Sequence, residues 1–184
     1  MSHPILINVK KLFWYYRQLG DRSFEQLSEV QLLQQPDEVS NSIAVIVKHV
    51  RGNMLSRWTD FLNSDGEKTW RRRDEEFEDT LKTKEAVIRA WNEGWDCLFQ
   101  ALDSIEDHDL ERLVYIRNEG HTVLEAIHRQ LAHYAYHLGQ IVYLARMLKG
   151  GDWTSLSIPK GGSKAYNTNK FKADQADRHF TDQV

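Results

Sequence analysis

The scarcity of proline constrains the fold of this chain more than any other feature of its sequence. Proline occurs at Pro4, Pro36 and Pro159, so the interval from Asp37 to Ile158 contains none. A proline within a helix removes a backbone hydrogen bond and clashes with the preceding turn, so this interval is free to form long helices. Four segments, residues 5–19, 42–61, 79–102 and 120–149, carry apolar residues at helical spacing. They predict an all-α fold, specifically a four-helix bundle.

Two stretches rich in β-branched residues test this prediction. Ile43–Val50 has the composition of a buried strand, but its apolar spacing continues through Met54 and Trp58 at a helical period, which favours a helix. Leu113–Arg117 has no such continuation and predicts a short strand that forms a hairpin with residues 121–123. The first helical segment is expected to continue or resume as far as residue 30.

The domain organisation follows from where the helical pattern ends. Gly150 and Gly151 close the fourth helical segment, and the chain beyond them is polar with scattered aromatic residues. We therefore expect a metal-binding bundle domain over residues 1–150. Residues 151–184 are expected to form an irregular C-terminal tail, which either packs on the bundle or extends from it.

Composition and charge exclude several classes of protein. A chain of 184 residues with 41% hydrophobic residues can bury one core, and a net charge of −3 does not favour binding to nucleic acid. No apolar run reaches the ~18 residues of a membrane span, and the first ten residues lack the order of a secretory signal. The single cysteine, Cys97, cannot form an internal disulfide. We therefore expect a cytoplasmic protein that binds neither membranes nor nucleic acid.

The eight histidines include a pair at helical spacing. His133 and His137 lie four residues apart in the fourth helical segment, so both imidazoles project from the same side of a helix and can share one metal ion. The alternative is a pair of hydrogen-bonded histidines without a ligand.

A third histidine strengthens the prediction of a metal site. His49 lies at the edge of the apolar stripe of the second helical segment, next to small and polar residues that include Asn53. His133 and His137 have a similar relation to their own stripe, with Gln130 and Gln140 beside them. Three imidazoles from two facing helices would leave a coordination position open for water or substrate. His49 as an ordinary core histidine is the alternative.

Other patterns carry less information about function. The histidine pair lacks the adjacent glutamate of a zincin, and a single Glu125–His128 pair is too little for a di-iron site, so we expect that pair at the surface or an interface. Cys97 is expected to be a small core residue. The basic cluster Trp70–Asp74 either anchors an anionic substrate or is a solvated loop paired with neighbouring acidic residues.

Four stretches of the sequence together resemble a known family. The bundle with one histidine on its second helix and a pair on its fourth is similar to the DinB/YfiT-like metalloenzymes, and within them to the DUF1572 subgroup. The stretches that carry this resemblance are residues 42–49 (SIAVIVKH), 52–62 (GNMLSRWTDFL), 129–141 (RQLAHYAYHLGQI) and 157–163 (SIPKGGS).

The resemblance implies a site, a cofactor and a class of reaction. The metal ligands of the family fall on His49, His133 and His137, the ion is a divalent transition metal, commonly zinc or nickel, and the protein is often a homodimer. Some members of the wider superfamily transfer small thiols such as bacillithiol, mycothiol or glutathione. The implied function is a thiol S-transferase with a low-molecular-weight thiol and an electrophile as substrates. The alternatives are a metal-binding or stress-associated protein without catalysis, and a bundle without metal.

The physical mechanism expected for such an enzyme is activation of the thiol. An ion held by three neutral imidazoles keeps its full positive charge and favours the thiolate form of a thiol beside it. In this hypothesis Asn53 and Gln130 orient the imidazoles, and the basic cluster binds carboxylates of the thiol substrate.

Overall fold

A computed structural model describes residues 4–183 of the chain, and in this part the protein is mostly helical. The helices are α1 (Pro4–Gln26), α2 (Glu29–Leu33), α3 (Ile43–Trp58), α4 (Lys84–Ser104), α5 (Val123–Lys149) and α6 (Ser163–Lys170). Strands β1 (Leu113–Ile116) and β2 (Glu119–Thr122) form one antiparallel hairpin. No helix among these residues combines the length and the apolar character needed to cross a membrane.

The capping residues explain where the helices begin. The Ser42 hydroxyl accepts a hydrogen bond from the Val45 amide, so α3 begins directly after Ser42 and the β-branched stretch is helical, as predicted. The Thr83 hydroxyl caps α4 in the same way. Helix α4 therefore begins five residues later than the predicted start at Asp79, because the cap lies at Thr83.

The ends of the other elements largely follow the sequence. Helix α1 continues to Gln26, and the chain resumes as α2 after the capping residue Ser28, which confirms the predicted continuation. The hairpin is also confirmed, with Leu113 opposite Thr122. Helix α3 ends at Trp58, whereas the apolar spacing extended to Phe61; the chain turns at Asp60, which has a positive φ of 47°.

Aromatic side chains from the four long helices meet in one core. They are Phe13 of α1, Trp58 of α3, Trp91 and Trp95 of α4, and Tyr134 of α5, all buried. The Trp58 indole donates to the Tyr134 hydroxyl at 3.0 Å, and that hydroxyl donates to Asn53 Oδ1 at 3.0 Å. These hydrogen bonds join α3 to α5 within the core.

The tail lies against the first helix. The Lys11 ammonium pairs with Asp182 at 2.6 Å, and the rings of Tyr15 and Phe180 pack edge to face with their centroids 5.3 Å apart. Of the two arrangements that the sequence left open, the structure has the folded-back one. The division into residues 1–150 and 151–184 stays a prediction.

Two glycines allow a prediction about packing and stability. A Cβ atom on Gly20 would lie 2.3 Å from the indole of Trp91, which is itself held by a hydrogen bond to Asp21, whereas a Cβ atom on Gly139 would meet no atom within 4 Å. We expect Gly20→Ala to lower the free energy of unfolding by about 1–3 kcal/mol through steric overlap. Gly139→Ala, also within a helix, should raise it by about 0.5–1 kcal/mol.

Urea denaturation of both variants beside the wild type measures these changes. Equal stability of the two variants would contradict the close approach of α1 to α4 at Gly20.

Candidate metal centre

Three histidines from two helices meet at one point of the structure. His49 comes from α3, and His133 and His137 come from α5; one nitrogen of each lies within 4.8 Å of the others. The Nε2 atoms of His133 and His137 are 3.1 Å apart. A tetrahedral ion with metal–nitrogen bonds of about 2.0–2.1 Å separates its ligands by about 3.3 Å. The pair is therefore spaced as ligands of one ion would be.

The helices bring these rings together for two different reasons. Residues four apart on a helix project from the same side, which places His133 beside His137 through local geometry alone. His49 reaches them only because α3 packs against α5. Asn53 lies one helical turn after His49, and Tyr134 directly follows His133, so their hydrogen bond holds the two helices in place beside the histidines.

Two of the three imidazoles form a hydrogen bond through their Nδ1 atom. His49 Nδ1 lies 2.9 Å from Glu76 Oε2; an ionised carboxylate can only accept, so Nδ1 carries a hydrogen and Nε2 is the nitrogen that can bind a metal ion. His137 Nδ1 donates to Gln140 Oε1 at 2.9 Å, and its Nε2 faces Nε2 of His133. A metal-binding histidine usually donates its second N–H to such a partner.

Burial keeps the imidazoles of His133 and His137 uncharged. It lowers the pKa of His133 to about 3, with further lowering from the neighbouring His137 and His49. Burial also lowers the pKa of His137. Both rings are therefore neutral at pH 7, the form in which imidazole binds a metal ion. The Nδ1 atom of His133 is buried and has no hydrogen-bond partner among the described residues.

Glu76 is held over His49 by a compact set of contacts. It lies in the 3-10 turn Asp74–Phe77, and its carboxylate occupies the space above Gly52, where a Cβ atom would come within 2.2 Å of Oε1. Arg71 donates to both oxygens of Glu76 at 2.8 and 2.9 Å. Burial raises the pKa of Glu76, but hydrogen bonds from His49 and Arg71 outweigh it and bring the pKa below its usual value. The carboxylate is thus ionised.

The same turn also covers one face of His49. The Phe77 ring stacks on the His49 ring with centroids 4.8 Å apart, and Lys48 donates to the backbone carbonyls of Glu75 and Glu78. The turn is therefore tied to α3 on both sides of Glu76, which restricts the orientation of His49.

A pocket of about 380 Å³ opens onto the three histidines. Asn53 and Gln130, expected from the sequence to orient the imidazoles, both line it. However, Asn53 accepts from Tyr134, and Gln130 Oε1 has no partner among the described residues. His49 and His137 instead donate hydrogen bonds to Glu76 and Gln140.

The donor set fits a divalent transition metal. His49, His133 and His137 each offer one imidazole nitrogen, and the pocket leaves one side of the cluster accessible. Imidazole nitrogen suits zinc, nickel, copper and iron. These three residues could hold such an ion, and its identity is not determined by the donor atoms.

The remaining candidates lie elsewhere or have other partners. Glu125 is exposed and forms a capping box with Thr122 at the start of α5, and His128 is exposed on the same helix. Cys97 is half-buried against the core, and burial raises the pKa of its thiol. In the basic cluster, Arg72 pairs with Glu75 in solvent as the solvated-loop reading predicted, whereas Arg71 is buried and binds Glu76.

Sequence reasoning missed Glu76 at this site, and it noted Gln140 beside the histidine pair but assigned the orienting role to Gln130. Gln140 lies three residues after His137, and this spacing on a helix was a usable signal. Glu76 lies in an acidic run typical of a solvated loop, and it is 27 residues from His49. The only local sign of it was Gly52, one turn after His49, where the missing side chain leaves room for a neighbour.

The Glu76 contact predicts an effect on metal affinity. We expect Glu76→Gln to weaken binding of Zn²⁺ by about 10–100-fold, because the His49 imidazole loses its anionic hydrogen-bond acceptor. Glu75→Gln is the matched control, since Glu75 is exposed in the same turn and its carboxylate pairs with the exposed Arg72. Competition with a chromophoric chelator measures both affinities, and circular dichroism confirms that each variant is folded. Equal affinities for the two variants would contradict the role of Glu76.

Comparison with known proteins identifies the family. No curated protein and no solved structure matches the chain. The family model described as "Protein of unknown function (DUF1572)" matches residues 1–162, a range that includes all three clustered histidines and the Glu76 turn. This match covers most of the chain and confirms the resemblance to DUF1572 noted from four stretches of its sequence. The chain therefore belongs to the DUF1572 family.

Proposed function

We propose that this protein is a divalent-metal-dependent enzyme whose ion, zinc or nickel, is held by His49, His133 and His137. The observation that supports this proposal is the convergence of three imidazole nitrogens, within 4.8 Å of one another, beside an accessible pocket. Two of these imidazoles have their second nitrogen bonded to Glu76 or Gln140, as metal ligands commonly do.

The wider relationship forms part of the same proposal. The shared aromatic core of α1, α3, α4 and α5 supports a four-helix bundle of the DinB/YfiT-like type. In that arrangement His49 lies on the second long helix and the pair His133 and His137 on the fourth, which is the pattern of that superfamily. A homodimer in the cytoplasm, where low-molecular-weight thiols are kept reduced, completes the proposal.

The proposed reaction is S-transfer from a low-molecular-weight thiol to an electrophile such as an alkyl halide. A divalent ion in the site supplies Lewis acidity that favours the thiolate. The sulfur forms a bond to carbon, the bond from that carbon to the halide breaks with its electron pair leaving on the halide, and the thiol proton passes to water. Glu76 and Gln140 keep His49 and His137 oriented throughout.

Metal content gives the first test. We expect about one zinc or nickel ion per chain in purified protein. We expect His137→Ala to lose that ion, because a site of this kind has three protein ligands and the variant would have two. His128→Ala, an exposed histidine on the same helix, is the control and should keep the ion. Elemental analysis measures the metal.

Bound metal should also stabilise the fold. An added ion at about a thousandfold excess over its dissociation constant should raise the free energy of unfolding of the wild type by roughly 4 kcal/mol.

Turnover gives the second test. The metal-loaded protein should accelerate conjugation of a small thiol with an alkyl halide, and the rate is measured as the loss of free thiol. His137→Ala should return this rate to that of the uncatalysed reaction. His128→Ala should retain the rate of the wild type. Undiminished activity in His137→Ala would refute a reaction at this site.

One observation favours a second candidate, a metal-binding or stress-associated protein without catalysis. No aspartate or glutamate is among the described residues that line the pocket, so none of them offers a carboxylate as general base. Turnover in a broad screen of thiols and electrophiles would eliminate this candidate.

A further inference from the structure

The pocket that opens onto the three histidines is lined by several positively charged side chains. Five arginines line it, and no acidic residue is among its described lining residues. The five are Arg57, Arg71, Arg73, Arg117 and Arg129. The lining therefore carries positive charge, and none of its described residues offers a carboxylate inside the pocket to balance it.

Two of the five arginines form ion pairs with carboxylates that are not among the lining residues of the pocket. Arg71 binds both oxygens of Glu76 and also reaches Glu67 Oε2 at 3.1 Å. Arg57 pairs with the same oxygen of Glu67 at 3.1 Å. The side chains of Arg57 and Arg71 are almost fully buried. These two cations and two carboxylates form a structural network, which leaves the other three arginines to be explained.

The three arginines at the rim have only weak or neutral partners. Arg73 lies 3.9 Å from the fully exposed carboxylate of Asp74. Arg117 approaches Glu67 Oε2 at 3.3 Å, an oxygen already shared by two buried arginines. Arg129 contacts the ring nitrogen of His121 at 2.7 Å. The long, exposed ion pair of Arg73 contributes little, and a guanidinium has five N–H donors, so the contacts of Arg117 and Arg129 leave donors for an anion.

Hydrogen bonds to the backbone fix the position of Arg117, one of these three arginines. Arg117 lies in the turn between β1 and β2 with a positive φ of 57°. The Asp65 carboxylate accepts hydrogen bonds from the backbone amides of Arg117 and Asn118 at 2.9 and 2.8 Å. The turn is thereby fixed to the loop after α3, and Arg117 is presented at the rim although it is 68 residues away from His49 in the sequence.

We infer that the substrate of this site carries a carboxylate or phosphate group, which Arg73, Arg117 and Arg129 bind while the rest of the molecule reaches the histidines. Guanidinium groups form paired, charge-assisted hydrogen bonds with both kinds of anion. A volume of about 380 Å³ limits the ligand to a small molecule. The inference rests on the proposed function for what reacts at the histidines, but the anion site can be tested without any reaction.

Calorimetric titration tests the anion site directly. The probes are succinate for a carboxylate, inorganic phosphate for a phosphate, and succinamide as a neutral molecule of similar size to succinate. Each is titrated into wild-type protein with and without Zn²⁺, at one low ionic strength. We expect at least one anion to bind in both forms and succinamide to bind in neither. The anion that binds more tightly identifies the group that the substrate carries.

Variants show whether the rim arginines are responsible. Arg117→Gln and Arg129→Gln should each raise the dissociation constant by about tenfold or more, because each removes a charged hydrogen-bond donor. Arg72→Gln is the matched control; Arg72 lies in the same basic cluster as Arg73 but its side chain is 77% exposed and is not part of the pocket lining. It should leave the dissociation constant unchanged.

The outcomes separate this inference from the proposed function. Absence of anion binding to a protein that takes up metal and conjugates thiols would overturn the anion site alone. Equal weakening in Arg72→Gln would also overturn it, since the binding would then depend on overall charge. Anion binding that depends on Arg117 and Arg129, in a protein without metal uptake, would support the anion site and refute the metal-dependent enzyme.

Discussion

The buried carboxylate of Glu76 connects the parts of the molecule on which the site depends. It accepts hydrogen bonds from His49 and Arg71, and it lies above Gly52 of α3, where any larger residue would displace it. A buried carboxylate is costly unless it is paired, and here its two partners hold its pKa below the usual value. The turn that carries Glu76 therefore has one favourable position, and that position orients the imidazole of His49.

The core and the pocket contribute separate properties to the same site. Hydrogen bonds from Trp58 through Tyr134 to Asn53 join α3 to α5, which brings the histidines of two helices together. Burial keeps the imidazoles of His133 and His137 neutral, so they provide lone pairs rather than charge. The arginines at the rim come from the loop after α3, the hairpin and α5, and they make the entrance cationic. Three imidazole nitrogens below a cationic entrance could hold an ion at the base and admit an anionic molecule above it.

Most of the secondary structure could be predicted because its causes are local. Helical spacing of apolar residues predicted the four long helices, three of them within the interval without proline, and Ser42 and the glycines after Lys149 marked boundaries that the structure confirms. The start of α4 was predicted five residues too early, since several polar residues precede Thr83 and the apolar pattern alone does not select the cap. The course of the tail over α1 could not be predicted, because its contacts, such as Lys11 with Asp182, join residues at opposite ends of the chain.

For the site, the sequence by itself determined the pairing of His133 with His137, because four residues on a helix always span about one turn. It also supplied His49 as a third candidate, from its place beside the apolar stripe of α3 and from the family resemblance. Only the tertiary structure decided that Glu76 and Gln140, rather than Asn53 and Gln130, bond to the imidazoles, and that Arg117 and Arg129 share a pocket with Arg73. The physical reason is that the contacts of Glu76 and Arg117 depend on the paths of loops and turns, which have no repeating pattern from which distances between remote residues can be calculated.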